Sequence, residues 1–243
     1  MLSKEQIKEY QTILSAKTPQ EVISWAIDLL GVENVALASS LGAEDQVLTD
    51  MIMKITPDMN IFTLDTGRLP QETYDLIEKN SRHYSRRLEI LFPERRDVEN
   101  MINKYGVNLF YESVENRMLC CRVRKVEPLQ RKLSSLQGWF CGLRREQAAT
   151  RNRLEKIEWD NKFNLVKVNP LAEWGEKDVW DYIRENNLPY NSLHDKGYPS
   201  IGCACCTRGV SPGDDIRSGR WWWESSEHKE CGLHIDKQET SSK

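Results

Sequence analysis

Residues 34–45 read NVALASSLGAED, and residues 46–55 continue as QVLTDMIMKI. The run opens apolar, passes through small and polar residues, and then places apolar side chains at helical spacing. An apolar run that ends in a loop of small residues before a helix predicts a strand, a loop and a helix in succession. This stretch therefore predicts one unit of an α/β fold.

The same succession follows immediately downstream. Residues 60–64 predict a strand that ends at DTGR (65–68), Pro70 opens a predicted helix, and residues 88–92 predict another strand. Strands that alternate with helices predict a parallel sheet flanked by helices, and such sheets bind ligands beyond the carboxyl ends of their strands. The loop at 40–45 and the loop at 65–68 both follow such ends.

Flanking segments add helices and a change of character near residue 190. Thr18, Pro19 and Glu21 form the pattern of a capped helix start. Apolar periodicity predicts further helices at residues 97–105, 114–133 and 176–187. We expect residues 1–189 to form a nucleotide-binding α/β domain and residues 190–243 to form an irregular, cysteine-bearing segment with a mobile tail.

Composition narrows the class of protein. The chain has 243 residues, 29% charged residues and a formal net charge of −3, so bulk attraction to nucleic acid is not expected. Its first ten residues lack the apolar core of a signal peptide, and no apolar run reaches the roughly 18 residues of a membrane span. We expect a soluble cytoplasmic protein with neither membrane nor nucleic acid as a partner. We further expect a homo-oligomer.

The two loops predict an anion site. Hydroxyls, a glycine and a helix start at residues 39–45 suit a phosphate, although a Walker A ending is absent. Taken alone, this loop is also typical of an ordinary strand-to-helix turn. Arg68 at the end of the next strand adds a fork suited to phosphate or sulfate, and residues 142–147 offer a third edge.

Two dense cysteine groups predict metal binding. The chain has seven cysteines, and a reducing compartment argues against disulfides. Cys120-Cys121 and the group at residues 203–206 together supply enough thiolates for zinc or for a 4Fe-4S cluster. The adjacent pair is unlike zinc-knuckle spacing, which favours iron–sulfur and leaves zinc open. Cys141, beside Phe140, is typical of a buried apolar filler.

Cys231 stands apart from both groups, near the C-terminus. Its neighbours include His228, Lys229 and His234, and cationic neighbours lower the pKa of a thiol. Glu230 acts against this effect. The pattern leaves a reactive thiol and an incidental terminal cysteine as alternatives.

Six motifs in order resemble the assimilatory adenylyl-sulfate reductases, which are thioredoxin-dependent sulfonucleotide reductases. They are SSLGAED at 39–45, LDTGR at 64–68, CCRVRK at 120–125, PYNSLH at 189–194, RSGRWWW at 217–223 and ECGLH at 230–234. The resemblance runs from about residue 25 to residue 234. It implies a fold like the adenine-nucleotide α-hydrolases, of the PP-loop type.

The resemblance also implies roles for individual residues. It implies a modified phosphate loop with Ser39, Ser40, Gly42 and Asp45, and adenosine held near Leu64, Asp65, Thr66, Gly67 and Arg68. It implies sulfate and phosphate contacts from Lys125, Arg144, Arg217, Arg220 and His234. It implies one 4Fe-4S cluster on Cys120, Cys121, Cys203 and Cys206, and Cys231 as the catalytic nucleophile. One departure stands out, because Cys205 occupies the position before the last cluster cysteine where the family usually has proline.

The implied reaction converts adenosine 5′-phosphosulfate to sulfite and AMP. A Cys231 thiolate would attack the sulfur, and thioredoxin or a similar dithiol donor would resolve the thiosulfonate. The alternatives are a reductase for the 3′-phosphorylated nucleotide or for both, a PP-loop ATP pyrophosphatase such as a tRNA sulfurtransferase, and a non-catalytic iron–sulfur sensor. A tRNA sulfurtransferase should carry a Ser-Gly-Gly-x-Asp-Ser loop and a basic surface, and neither is evident in the sequence.

Overall fold

The computed structural model describes residues 4–148 and 151–225, so Cys231 and His234 lie outside the described residues. Its helices are α1 (Lys4–Leu14), α2 (Pro19–Leu30), α3 (Ala43–Ile55), α4 (Gln71–His83), α5 (Arg95–Tyr105), α6 (Val114–Cys121), α7 (Glu127–Leu133) and α8 (Glu176–Glu185). Its strands are β1 (Val35–Ala38), β2 (Asn60–Leu64), β3 (Glu89–Leu91), β4 (Gly138–Phe140), β5 (Ile157–Asp160) and β6 (Leu165–Val168).

The six strands form one sheet in the order β3-β2-β1-β4-β6-β5. β1 is parallel to both β2 and β4, and β4 is parallel to β6, as the alternation of strands and helices predicts. β5 departs from this pattern because it runs antiparallel to β6 as the edge strand of a hairpin. The chain passes from β1 toward β2 on one side and later returns to β4 on the other. The carboxyl ends of β1 and β4 therefore form the switch point at which open α/β sheets bind ligands.

Helix α2 shows how local sequence sets an element. The Thr18 hydroxyl accepts a hydrogen bond from the Glu21 amide (3.3 Å), and the Glu21 carboxylate accepts one from the Thr18 amide (2.8 Å). This reciprocal capping box satisfies two amides at the helix start. Val22, Ile23 and Ala26 then follow at helical spacing and are fully buried in the core.

The described residues divide into two compact units. The first contains residues 4–63, 72–89, 133–148 and 151–191, and its apolar core lies between the sheet and helices α1, α2, α3 and α8. The second contains residues 64–71, 90–132 and 192–225, and its smaller core includes Phe110, Cys120, Cys206 and Trp221. The predicted boundary near residue 189 remains a prediction. Within residues 4–148 and 151–225, no helix is long and apolar enough to cross a membrane.

Candidate functional site

The loop after β1 is held by its own side chains. The Ser40 amide (2.7 Å) and hydroxyl (2.5 Å) both donate to Oδ2 of Asp45, and the Leu41 amide donates to Oγ of Ser39 (3.2 Å). Leu41 takes a φ of 62°, a left-handed conformation that non-glycine residues seldom adopt outside constrained sites. Gly42 is the N-cap of α3, whose first amides have no partner within the helix. The loop therefore offers hydroxyls and a helix N-terminus together.

Asp45 joins this loop to the one that follows β4. Its Oδ1 accepts a hydrogen bond from the Gly142 amide (3.0 Å). A Cβ at Gly142 would lie 2.3 Å from that oxygen, so a residue with a side chain does not fit at this position. Burial raises the pKa of the Asp45 carboxyl to about 6, although the hydrogen bonds from Ser40 oppose the shift. One buried carboxyl group therefore connects the two loops at the switch point.

Arg144 lies in the same unit and is already engaged. Its side chain is 4% exposed, and Nε donates to Oε1 of Glu44 at 2.9 Å. Nη1 also lies 3.4 Å from the Trp174 carbonyl oxygen, to which it donates. To contact the substrate as predicted, the Arg144 guanidinium must either leave the Glu44 carboxylate or bind the carboxylate and the substrate together. That contact remains a prediction.

The second predicted loop, Leu64 to Arg68, forms part of the second unit. Oδ1 of Asp65 accepts a hydrogen bond from the Gly67 amide (2.7 Å), and Gly67 has a φ of 69°. Oγ1 of Thr66 accepts one from the Arg68 amide (3.2 Å). Asp65 and Thr66 therefore fix the turn. That this loop joins the loop after β1 in one nucleotide pocket remains a prediction.

The two cysteine groups lie together in the second unit. One cavity is lined by the five cysteines of both groups, by four cations and by one aromatic ring: Cys120, Cys121, Cys203, Cys205, Cys206, Arg68, Arg117, Arg124, Lys125 and Phe110. Cys120 and Cys121 end α6, whereas the other three cysteines come from the turn at residues 203–206. Among the described residues, no carboxylate lines this cavity, so the charged groups in this part of its wall are cationic apart from any thiolates.

The cations around the cavity are held by specific contacts. Nη1 of Arg124 donates to the Thr66 carbonyl (2.7 Å), and no acceptor among the described residues lies within hydrogen-bond reach of its buried Nε. Arg117 makes a bidentate pair with Glu224, with Nε 3.0 Å from Oε1 and Nη2 2.8 Å from Oε2. The sequence reasoning singled out neither arginine, because nothing in the local pattern of residues 114–124 distinguishes a buried arginine from a solvated one.

Lys125 lies in a π-helical stretch, Arg122–Val126, between α6 and α7. A π-helical turn carries an extra residue and is frequent at functional sites. The stretch lets Lys125 line the cavity that Cys120 and Cys121 also line. The structure therefore brings together Lys125, Arg68 and the four predicted cluster cysteines.

Thiol acidity varies around the cavity. Burial raises the pKa of Cys120, and the Arg124 guanidinium opposes the shift. Sγ of Cys205 and Sγ of Cys206 lie 3.8 Å apart. The hydrogen bond from Cys206, aided by Arg68, lowers the pKa of Cys205 to about 6, and the same bond raises the pKa of Cys206. Outside the cavity, burial raises the pKa of Cys141 well above its usual range, which agrees with an apolar filler role.

Arg217 and Arg220 belong to the segment that follows the cysteine turn. Arg220 is 7% exposed, and its Nη1 donates to the Ile201 carbonyl (3.3 Å). A Cβ at Gly202 would lie 2.3 Å from Nη2 of Arg220, so the guanidinium packs against the backbone just before Cys203. Arg217 is half-buried and lies over the Trp221 ring at 5.9 Å.

The described part of the chain contains no ready-made site for a single metal ion. Among residues 4–148 and 151–225, no group of three or more histidine, cysteine, aspartate or glutamate side chains is arranged to hold one metal ion. The cysteines share a cavity without converging on a single point. The predicted nucleophile Cys231 and the predicted anion contact His234 lie outside the described residues.

Comparison with known proteins agrees with this geometry. The profile of the family described as the phosphoadenosine phosphosulfate reductase domain matches residues 34–209. A protein of Allochromatium vinosum named adenosine 5′-phosphosulfate reductase is 50% identical over 229 residues, which cover 92% of this chain and 90% of that protein. A Pseudomonas aeruginosa protein of the same name is 44% identical over 227 residues, which cover 91% and 84% of the two chains.

Solved structures agree as well. The crystal structure of phosphoadenylyl-sulfate reductase from Candida auris, a phosphate complex, has a TM-score of 0.73 at 33% identity and covers 86% of this chain and 98% of its own. Candida glabrata FMN adenylyltransferase has a TM-score of 0.55 at 14% identity over 84% and 66% of the two chains, which shows a shared fold alone. The chain therefore belongs to the phosphoadenosine phosphosulfate reductase family.

Proposed function

We propose that this chain reduces adenosine 5′-phosphosulfate to sulfite and AMP in sulfate assimilation. The observation that carries the proposal is the cavity in which five thiols and four cations meet, in a chain half identical to a protein named for this reaction. A thiol-rich, cation-lined cavity suits an iron–sulfur centre next to an anionic substrate. The formal net charge of −3 argues against bulk attraction to nucleic acid.

The residues of the cavity fit a 4Fe-4S cluster held by Cys120, Cys121, Cys203 and Cys206. Thiolates are the ligands that such clusters take, and the cationic wall offsets their negative charge. Arg124 supplies a second sign of fit, because its buried Nε has no acceptor within the described residues and a thiolate or sulfide would provide one. When bound, the cluster supplies a fixed electrostatic field and a cross-link between α6 and the turn at residues 203–206.

Zinc is the competing occupant of the same thiols. A zinc site gathers its ligands around one ion, and the described residues contain no such group. A four-iron cluster binds each thiolate through a different iron and therefore needs ligands spread around a larger space. The adjacent pair Cys120-Cys121 is unlike the spacing of zinc knuckles, which favours the cluster over zinc.

The substrate's anionic groups are proposed to meet two kinds of partner. The phosphate would lie at the loop after β1, where Ser39, Ser40 and the N-terminus of α3 offer donors. The sulfate would be neutralised by Lys125, Arg217 and Arg220, with Arg144 and His234 completing the anion contacts. Charge-assisted hydrogen bonds of this kind contribute about 1.5–3 kcal/mol each.

In the proposed reaction, the Cys231 thiolate attacks the sulfur of the substrate. The bond from sulfur to the phosphate oxygen breaks, AMP leaves with that electron pair, and Cys231 carries a thiosulfonate. The cations lower the barrier because they neutralise the oxygens around the attacked sulfur. Adenosine would be held near Leu64, Asp65, Thr66, Gly67 and Arg68.

A dithiol donor completes the cycle. One of its thiolates attacks Sγ of Cys231, sulfite leaves, and a mixed disulfide forms. The donor's second thiol then releases Cys231 and closes the donor disulfide, so both electrons come from the donor. We propose thioredoxin or a similar protein as the donor, in the cytoplasm, where thiols stay reduced.

Reduction of the 3′-phosphorylated nucleotide is the second candidate function. The matching family and the Candida auris structure both carry that substrate in their descriptions. We expect the unphosphorylated nucleotide to be preferred, because the resemblance links the cluster cysteines to that preference. The comparison of kcat/KM for the two nucleotides, with the same donor and salt, decides between them.

One anaerobic experiment tests the proposed function. Wild-type protein with substrate and thioredoxin should form sulfite, and Cys231→Ser should form none while it keeps its iron and its nucleotide binding. Cys141→Ala is the matched control and should retain activity, because Cys141 is buried in the first unit and is not among the residues that line the cavity. Nucleotide binding without any sulfite from the wild type would instead indicate a sensor, and stoichiometric zinc without iron would refute the cluster.

A further inference from the structure

Cys205 is a fifth thiol in a cavity for which the proposed cluster needs four. It lines the same space as the four predicted ligands. Cys206 is buried in the small core of the second unit, whereas Cys205 is half-buried and packs against that core. Its sulfur lies 3.8 Å from the Cys206 sulfur.

The backbone of this turn is held from several sides. The Cys206 amide donates to the Cys203 carbonyl (2.9 Å), which closes the 3₁₀ turn. The Tyr111 hydroxyl donates to the Cys205 carbonyl (2.9 Å), and the Trp221 amide donates to the Cys206 carbonyl (3.2 Å). These bonds fix the backbone, so that the positions of the two neighbouring sulfurs depend on side-chain rotation rather than on loop movement.

We propose that Cys205 is an exchange ligand, which can take the cluster position assigned to Cys206. The proposal rests on the cluster of the proposed function and goes beyond it. Two sulfurs separated by 3.8 Å on a fixed turn can reach the same iron through side-chain rotation. Cys203 lacks this relation to a neighbouring cysteine, because its sulfur lies against the Thr66 hydroxyl at 3.3 Å.

The exchange step is balanced without an oxidant or a reductant. One bond from iron to the Cys206 sulfur breaks, and one bond from the same iron to the Cys205 sulfur forms. One thiolate would replace another at that iron, any proton on the incoming sulfur would pass to the leaving sulfur, and the iron would keep its oxidation state. Arg68, which lines the same cavity, would supply a cation near the incoming sulfur.

Iron and acid-labile sulfide per chain, measured on anaerobically purified full-length variants, test the proposal. Cys206→Ser should retain most of the wild-type iron, with an altered Mössbauer signature at one iron site. Cys205→Ser should match the wild type, and Cys205→Ser/Cys206→Ser should lose the cluster. Cys203→Ser is the matched control and should lose it as well. Loss of iron from Cys206→Ser as complete as from Cys203→Ser would overturn the proposal.

Thiol labelling of the wild-type holoprotein gives an independent readout that no folding defect can confuse. Trypsin should release residues 197–208 as one peptide that contains Cys203, Cys205 and Cys206. During slow alkylation by iodoacetamide, exchange predicts label on either Cys205 or Cys206, with Cys203 protected. Label confined to Cys205 would overturn the proposal. Wild-type protein without iron or sulfide would instead refute the cluster itself, so the two failures are distinguishable.

Discussion

In the loop after β1, the charged group that lies deepest is a carboxyl, whereas the cysteine cavity is walled by guanidinium and ammonium groups. Asp45 gathers amides and a hydroxyl of its own loop and of the loop after β4. Around the cavity, Arg117 and Arg124 lie buried among thiols. The first region therefore fixes backbone donors with a buried acceptor, whereas the second holds positive charge next to thiols, where it can stabilise thiolates and anions.

Breaking the charge balance of the cavity should have the largest effect. Glu224 and Arg117 have side chains that are 4% and 3% exposed, and Arg117 also lies 4.8 Å from the Trp221 ring. Glu224→Gln leaves a buried cation without its counter-charge, which should lower the free energy of unfolding by about 3–5 kcal/mol. Urea unfolding of the wild type and of Glu224→Gln measures this loss of stability.

Glu99→Gln is the matched control for Glu224→Gln. Its partner Arg95 lies 3.6 Å away, and the two side chains are 53% and 89% exposed. Loss of such an exposed pair should cost no more than about 0.5 kcal/mol. Equal effects of the two substitutions would show that burial of the Glu224 pair does not matter.

The buried carboxyl of the first region predicts that the stability of the protein falls as pH rises. Asp45 has a pKa raised from 3.8 to about 6, so between these values the folded protein holds a proton that the unfolded chain releases. Its contribution to stability is fully present below pH 3.8 and is lost as pH rises through about 6. Relative to Asp45→Asn, the wild type should lose on the order of 3 kcal/mol across that window. Urea unfolding at several pH values measures the difference, and parallel curves would contradict it.

Removing the Asp45 carboxyl altogether tests whether this acceptor holds the shape of the loop after β1. Asp45→Ala leaves the Ser40 and Gly142 amides without their acceptor and should destabilise the protein by about 1–3 kcal/mol. Nucleotide affinity should fall too, because the loop loses its fixed shape. Asp58→Ala, at an exposed aspartate, is the control and should change neither quantity. Unaltered nucleotide binding in Asp45→Ala would separate the loop from the site.

The smallest expected effect is at Tyr111, which bonds the backbone of the turn at residues 203–206. Tyr111 is 45% exposed and donates to the Cys205 carbonyl at 2.9 Å. Tyr111→Phe removes this one bond and keeps the ring, so the free energy of unfolding should fall by about 0.5–1 kcal/mol. Thermal unfolding of the two proteins side by side checks it. A loss as large as that in Glu224→Gln would mean that the Tyr111 hydrogen bond contributes as much to stability as the buried pair of Arg117 and Glu224.

The sequence predicted the sheet best where local pattern and tertiary role agree. The run at residues 34–55 became β1, its loop and α3, because both the apolar strand and the periodic helix are buried in the same core. The hairpin of β5 and β6 was missed. Asp160 fixes the turn by accepting from the amides of Lys162 and Phe163 (3.0 and 3.1 Å), but all four residues of β6 are buried, so burial does not alternate along this strand.

The site was predictable in part. Hydroxyls, glycines and cysteines mark their own chemistry, so the loop residues and the cavity cysteines were found from the sequence. Arg117 and Arg124 were not, because their burial depends on contacts with Glu224 and Thr66, which are distant in sequence. The pairing of Arg144 with Glu44 is likewise a tertiary fact that local pattern does not reveal.

The π-helical stretch Arg122–Val126 makes chain length itself a constraint. Each residue of an α-helix turns the chain by about 100°, and a π-helical turn accommodates one residue more than α-helical bonding does. Deleting one residue between Cys121 and Lys125 would shift Lys125 by about 100° around the helix and would turn it away from the cavity that Cys120 and Cys121 line. Relatives that keep this cavity should therefore tolerate exchange of the exposed Arg122, but not a change in the number of residues between the double cysteine and Lys125.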